Sequence, residues 1–340
     1  MPLDLIRNHP QPELVQLDLT LSPDASGQQT ELGCEIQLAP AWWTVATGRV
    51  QVALRSLQLV VQIPATAAVV TVHQEIKYLS TKSGDGQYHW SIGNAQGHLT
   101  PLTAPLLTLS APCDTLQAWL YTDFPAFQLT EIEGLWPHDL SPNRLAVLNR
   151  AIAKPLWQAY GAALSAVGTQ APPSPVPPDL TAIPELIQRI VKSPSDRFAD
   201  LVTLTDLDLS QDFAQSNLLG VNLREADLNK VNLAGANLRG AELCDADLRE
   251  ANLENANLQG ADCSGALLEE ANLDLANGYR ASFALANFSG ASLKRTNFQA
   301  TNLTQTTWHG ATVTQLALGE NQGLSEQNQA WLLQQGAIAH

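Results

Sequence analysis

Residues 246–260 read ADLREANLENANLQG, so that Ala, then Asp or Asn, then Leu return every five positions. Working outward from that stretch, the same clock starts at Phe213, passes Leu218, Leu223, Leu228 and Leu233, and runs on to Val313. Two residues before each beat stands a small one, from Val221 and Ala226 to Ala266, and later Thr296, Thr301, Thr306 and Ala311. Neither the 3.6 period of a helix nor the 2.0 period of a flat strand keeps both columns inside. A fixed short repeat marks a solenoid, whose units bury their apolar side only against their neighbours.

The motif A(D/N)LXX, as in Ala226-Asp227-Leu228, Ala236-Asn237-Leu238 and Ala256-Asn257-Leu258, resembles the pentapeptide repeat family. The resemblance covers residues 213–313 and none of residues 1–195. It implies a right-handed quadrilateral β-helix in which four pentapeptides make one coil and Leu, Phe and Ala point inward. Carried onto Leu218 to Val313, this gives about five coils, a rod of about 24 Å at the spacing of paired strands. It also stacks Asn217, Asn237, Asn257, Asn277 and Asn297 on one face as an amide ladder.

Breaks in the pattern carry information too. Gly278 takes an inward beat and, in four-sided stacking, leaves a gap between Leu258 and Phe298 that Phe283, Phe288, Phe298 and Trp308 are placed to fill. Tyr279 and Arg280 beside it form either a local bulge or a small outward contact site. Cys263 occupies another inward beat as a small apolar filler. Because the raw ends of a β-helix invite self-association, caps are expected at both. Ser325 followed by Trp331, Leu332, Leu333 and Gly336 predicts a capped helix closing the last coil, and Ile183 to Val191 a helix leading into the first. Phe198 to Leu209 has solenoid composition but the wrong phase, which predicts an irregular first coil.

The N-terminal part alternates like strands at Val15–Leu21, Val50–Leu54 and Val70–Val72, with Ser83-Gly84-Asp85-Gly86 as a hairpin turn and further runs up to Phe127–Ile132. Seven or eight short strands predict a β-sandwich-like domain over residues 1–141. A helical segment follows at 142–168, interrupted near Pro155 and running to about Ala166. Next come a proline-rich linker at 169–181, a helix leading into the solenoid at 182–200, the β-helix at 201–318 and a capping helix at 319–340. The whole is all-β in class.

Composition limits the function. The net charge is −15, which disfavours direct nucleic-acid binding and anionic membrane surfaces. No apolar run long enough for a membrane span or secretion signal occurs, so a cytoplasmic protein is expected, with its 4 Cys as free thiols. His73 and Glu75 have the spacing of zinc deaminases and Pro112-Cys113 follows, but Leu116 stands where the second Cys belongs. His138, Asp139 and Ser141 are triad-type residues adjacent in sequence, where neighbouring side chains seldom converge. With no phosphate loop, H-E-x-x-H or G-x-S-x-G, neither catalytic activity nor a metal or cofactor is expected.

What remains is recognition of a protein partner. Trp42-Trp43 should put one indole outward on a strand. The segment Trp119 to Trp136 is rich in aromatics, but its place is the core. Glu250, Glu254, Glu269, Glu270 and Asp274 gather on two adjoining faces of the rod as a candidate docking patch. The leading expectation is a non-catalytic scaffold or adaptor, possible homo-oligomers included. Two alternatives stand beside it: an acidic, DNA-mimicking inhibitor of a topoisomerase, and a sandwich with hydrolase or ligand-binding function using His73, His89 or His138. A 24 Å mimic would need on the order of 14 net negative charges. Between Leu218 and Val313 there are eleven acids and seven bases. Pentapeptide proteins abound in cyanobacteria, so the resemblance also implies a cyanobacterial-like setting.

Overall fold

The structure, a computed structural model, describes residues 180–339 without interruption. Before them it describes the strands and helix named below, with residues 122–123, 126, 134–136 and 139–141. The chain forms two compact units, the first made of residues 1–135 and 153–182, the second of 136–152 and 183–340.

The described strands of the first unit are β1 (Ile6–Asn8), β2 (Val15–Pro23), β3 (Thr30–Leu38), β4 (Ala41–Val45), β5 (Gly48–Leu54), β6 (Ser56–Gln62), β7 (Val69–Val72), β8 (Ser80–Lys82), β9 (Gln87–Gly93), β10 (Leu102–Leu109), β11 (Gln117–Tyr121), β12 (Phe127–Glu133) and β13 (Ser165–Gly168). They pair in the orders β1-β13-β11-β6-β9-β8, β2-β3-β10-β7 and β12-β5-β4, antiparallel throughout. Alternation explains the burial: Leu32, Cys34 and Ile36 of β3, Val50, Val52 and Leu54 of β5, and Leu57, Leu59 and Val61 of β6 all point inward. β8 and β9 pair with Lys82 opposite Tyr88, as a hairpin around residues 83–86 requires; the turn itself lies outside the described residues.

Helix α1 (Pro142–Tyr160) runs unbroken through Pro155. The expected interruption is absent; Ala151, Ile152, Ala153 and Leu156 are buried around the proline, so packing outweighs the one amide it lacks. Nor does the helix reach Ala166. It ends at Tyr160, and Ser165–Gly168 becomes β13, held between β1 and β11. Residues 142–152 of α1 belong to the second unit and 153–160 to the first.

The second unit continues with α2 (Ile183–Val191) and α3 (Phe198–Val202). The irregular first coil expected at Phe198–Leu209 is instead this short helix and a run of turns, with Phe198 edge-on to Phe213 at 5.1 Å. From residue 217 the chain winds with a period of twenty. Parallel bridges join Asn217 to Asn237, Asn222 to Glu242, Asp227 to Asp247 and Asn232 to Asn252, and recur down each column as far as Asn302 and Gln322. Within a column the backbone bonds run both ways, as in Leu238 N to Asn257 O at 2.8 Å and Asn257 N to Ala236 O at 2.9 Å. Four pentapeptides therefore make one turn, with the Ala and Leu positions buried.

The corners explain the rest of the motif. Every fifth residue from Gln215 to Glu320 has φ between 53° and 72°. Such left-handed backbone costs an L-residue roughly 1–2 kcal/mol when unsupported. Glycine fills some of these positions, but Lys230, Glu250 and Arg280 fill others. Support comes from the Asx side chain. Asp227 Oδ1 accepts from Asn229 N, Asn252 Oδ1 from Glu254 N and Asn297 Oδ1 from Gln299 N, all within 3.2 Å. Asn or Asp is thus selected for turning most of the corners, with Glu242, Leu267, Ser282, Ser292, Thr307 and Thr312 at the others. The amide ladder is only partly formed: Asn237 donates to Asn217 at 2.9 Å and Asn297 to Asn277 at 3.3 Å.

Both ends are covered. At the first turn the buried Asn143 of α1 stands in for the missing neighbour: its Oδ1 accepts from Asn222 N at 2.7 Å, and its Nδ2 donates to Asn222 O at 2.9 Å. At the other end α4 (Glu326–Gln334) is capped by Ser325, whose hydroxyl accepts from Asn328 N at 3.1 Å. Of the apolar residues expected to close that end only Leu332 is buried; Trp331 is half-exposed and Leu333 is exposed. The remaining cover is backbone: β15 (Ile338–Ala339) pairs in parallel with β14 (Ala317–Leu318).

Candidate functional site

The interior of the solenoid offers no site. Gly278 does leave room in the column Leu238, Leu258, Phe298, and rings occupy it: a Cβ on Gly278 would lie 2.8 Å from Phe298 Cδ1 and 3.2 Å from Phe283 Cε2. Phe283 and Phe298 meet at 4.6 Å between centroids, and Phe288 stacks on Trp308 at 4.6 Å. No bulge accompanies the gap, for Gly278 N bonds Asn297 O at 2.8 Å and Arg280 N bonds Gln299 O at 3.2 Å in the regular ladder. Tyr279 and Arg280 therefore sit on a flat side, the guanidinium 5.0 Å from the ring centroid.

Cys263 is an inward filler, and burial pushes its thiol far up. Burial likewise raises Cys244 to about 11, aided by the neighbouring Asp262 carboxylate. Both thiols stay protonated at neutral pH, and the thiolate is the nucleophile. Iodoacetamide at pH 7.5 followed by peptide mapping should leave both unmodified in the folded protein and modify both in denaturant; rapid native labelling of either would contradict this placement.

The acidic patch is largely engaged with its neighbours. Glu250 pairs with Lys230 at 3.5 Å, Glu269 accepts from Asn287 Nδ2 at 2.6 Å, and Glu254 accepts weakly from Asn272 at 3.5 Å. Asp274 accepts from Ser292 Oγ at 2.6 Å and faces Lys294 at 3.6 Å, while the Glu270 carboxylate fills the space above Gly290. In the first unit Trp43 is buried against Phe127 at 5.8 Å and so presents no surface; the side chain of Trp42 lies outside the described residues. Phe127, from the aromatic-rich stretch, is fully buried.

Of the catalytic candidates, Asp139 and Ser141 are among the described residues. Ser141 caps α1, accepting from Arg144 N at 3.3 Å and donating to Asp196 Oδ1 at 2.6 Å. His73, Glu75, Cys113 and His138, and the side chain of His89, lie outside the described residues. Among the described residues no group of three or more His, Cys, Asp or Glu could hold a metal ion, and no helix is long and apolar enough to cross a membrane.

Eight copies of the pentapeptide repeat model match the chain, over residues 212–243, 246–277, 256–295 and 281–315. The solved pentapeptide repeat protein Rfr23 from the cyanobacterium Cyanothece is 31% identical over 29% of this chain and 84% of its own, with a TM-score of 0.18. This chain belongs to the pentapeptide repeat family through its C-terminal part. Another pentapeptide repeat protein, from the Arabidopsis thaliana thylakoid lumen, is 26% identical over 34% of this chain and 81% of its own, at a TM-score of 0.32. HetL of Nostoc, described as involved in heterocyst differentiation regulation, is 31% identical over 32% of this chain and 54% of its own, at 0.14. No curated protein matches.

Sorting the pentapeptide side chains by their place in the turn shows an asymmetry that reading along the chain does not. The side built from 216–220, 236–240, 256–260, 276–280 and 296–300 contains no Asp or Glu; all eleven acids between 216 and 315 lie on the other three. The signal was available in the sequence through positions modulo twenty, once the resemblance supplies four pentapeptides per turn.

Proposed function

We infer that this pentapeptide repeat protein is a non-catalytic scaffold or adaptor that binds a protein partner. The observation that carries this reading is the sealed solenoid: its inward columns are filled by Leu, Ala and Phe, which leaves only outer faces for recognition. In this reading the repeats form about five right-handed coils, the sheets of the first unit form a sandwich-like recognition body, and residues 169–181 act as a proline-rich spacer. The protein works in the cytoplasm, alone or as a homo-oligomer, without cofactor or metal.

Inhibition of a topoisomerase by DNA mimicry is the second reading, favoured by the acidic balance alone. Charge distribution weighs against it: eleven acids against seven bases fall well short of duplex density, and Arg224, Lys230, Arg249 and Lys294 each lie within 3.9 Å of a carboxylate. Affinity capture from native lysate with the full chain as bait should retain a specific protein, with no turnover by the purified chain. Empty capture, together with inhibition of gyrase supercoiling, would replace the scaffold with the decoy.

A further inference from the structure

The acid-free side of the solenoid is also where its unpaired cations gather. Of the seven Lys and Arg between 216 and 315, the four that pair with carboxylates stand on the acidic sides. The other three are Arg239, Arg280 and Arg295, none of which forms an ion pair among the described residues. Arg239 and Arg280 lie on the acid-free side in adjoining columns two turns apart, Arg239 in line with Gln259, Tyr279 and Gln299 and Arg280 in line with Gly240 and Gly260. Arg295 turns the corner into the same side immediately before Thr296, with its Nε bonded only to the amide of Gln315 at 3.0 Å. Arg239, Arg280 and Arg295 are all exposed.

Between them the surface is flat and neutral: the Asn237 to Asn297 column, Gln259, Gln299 and Tyr279, bordered by Gly220, Gly240 and Gly260, around whose outer faces there is open space. In a chain of net charge −15, this side carries Arg239 and Arg280 and no carboxylate over five successive rungs, so it repels an acidic segment least. Arg and Tyr are also the residue types that dominate interface energetics, and guanidinium matches carboxylate geometry in two-pronged bonds.

We propose that this side is a docking surface for an extended, acidic peptide segment of a partner protein. The segment lies along the rod with carboxylates on Arg239, Arg280 and Arg295 and an apolar or aromatic residue against Tyr279. The proposal rests on the scaffold reading and adds the surface and the chemistry of its partner.

The test uses the full chain and a fluorescein-labelled peptide of alternating Glu and Thr, about eight residues long, enough at roughly 3.3 Å per residue to span the side. Fluorescence anisotropy should show binding that weakens as salt rises. The triple variant Arg239→Gln, Arg280→Gln, Arg295→Gln should lose at least tenfold in affinity with an unchanged circular dichroism spectrum. A control carrying Arg224→Gln, Lys230→Gln and Lys294→Gln on the acidic sides should bind like the parent. Equal losses in both triples, no binding to the parent, tighter binding of a Lys–Thr peptide, or preference for a DNA duplex would each overturn the proposal. Lysate capture separates it from the scaffold reading: a partner retained equally by the parent and the first triple sinks this surface and leaves the scaffold standing, whereas no partner at all sinks the scaffold itself.

Discussion

Replacing Gly278 by Leu should lower the unfolding free energy by about 3 kcal/mol, although it restores the consensus residue. Elsewhere in the solenoid Leu at this beat is the best choice, and Leu238 and Leu258 directly precede Gly278 in its column. Here the space is already taken. Even the Cβ of an alanine would approach two atoms of the Phe298 ring to 2.8 Å, and Phe298 is fully buried against Phe283 and Phe288. Overpacking of a filled core costs roughly 1–3 kcal/mol and occasionally more, so Gly278→Ala should fall near the lower end. The decisive measurement is a double-mutant cycle by urea unfolding. Gly278→Leu combined with Phe298→Leu should be less destabilised than the sum of the singles, because each relieves what the other disturbs. Additive effects would mean that Gly278 is selected for its backbone and not for the ring beside it.

Gly278 also illustrates how far the sequence could be read. The five-residue clock is one-dimensional, so once the turn holds twenty residues, every column follows, including the gap and the rings that fill it. Other features depend on geometry that the clock does not contain. The Asx residue was read as part of a ladder, whereas its bonds to the amides two positions on, as in Asn297 to Gln299, show that it mainly turns the corner. The Phe198–Val202 helix was read as solenoid because its composition is apolar, but only its packing on Phe213 decides its form. The helix that starts at Pro142 was carried on to about Ala166, whereas pairing on both edges makes residues 165–168 a strand. The candidate surface divides the same way. Tyr279 and Arg280 were singled out in the sequence beside Gly278, while the acid-free side they belong to emerges only when charges are sorted around the turn.

The largest effect outside the repeats is expected at Asn143, which no pattern in the sequence singles out. A solenoid stacks unit on unit, so its first turn presents backbone groups that the next turn inward would have bonded. Asn143 replaces that turn with one amide group. Its oxygen takes the Asn222 N–H and its nitrogen serves the carbonyls of Asn222 and Asp196, at 2.7, 2.9 and 2.8 Å. A residue 79 positions away in sequence thereby imitates a parallel strand. Asn143→Leu keeps the bulk, removes all three bonds and should cost about 2–3 kcal/mol, the range for leaving polar groups unsatisfied. Asn143→Asp keeps the acceptor but turns a carboxylate toward two carbonyls, so it should be no better than Leu. Hydrogen exchange then distinguishes a cap from a general packing residue. Nearest-neighbour stacking predicts faster exchange at the amides of 217–236 in both variants, with Asn277 and Asn297 little changed. Uniform acceleration along the rod would instead make Asn143 part of one cooperative core. If the cap is real, a fragment starting at Ser195 lacks it and should self-associate through its open first turn, while the full chain does not.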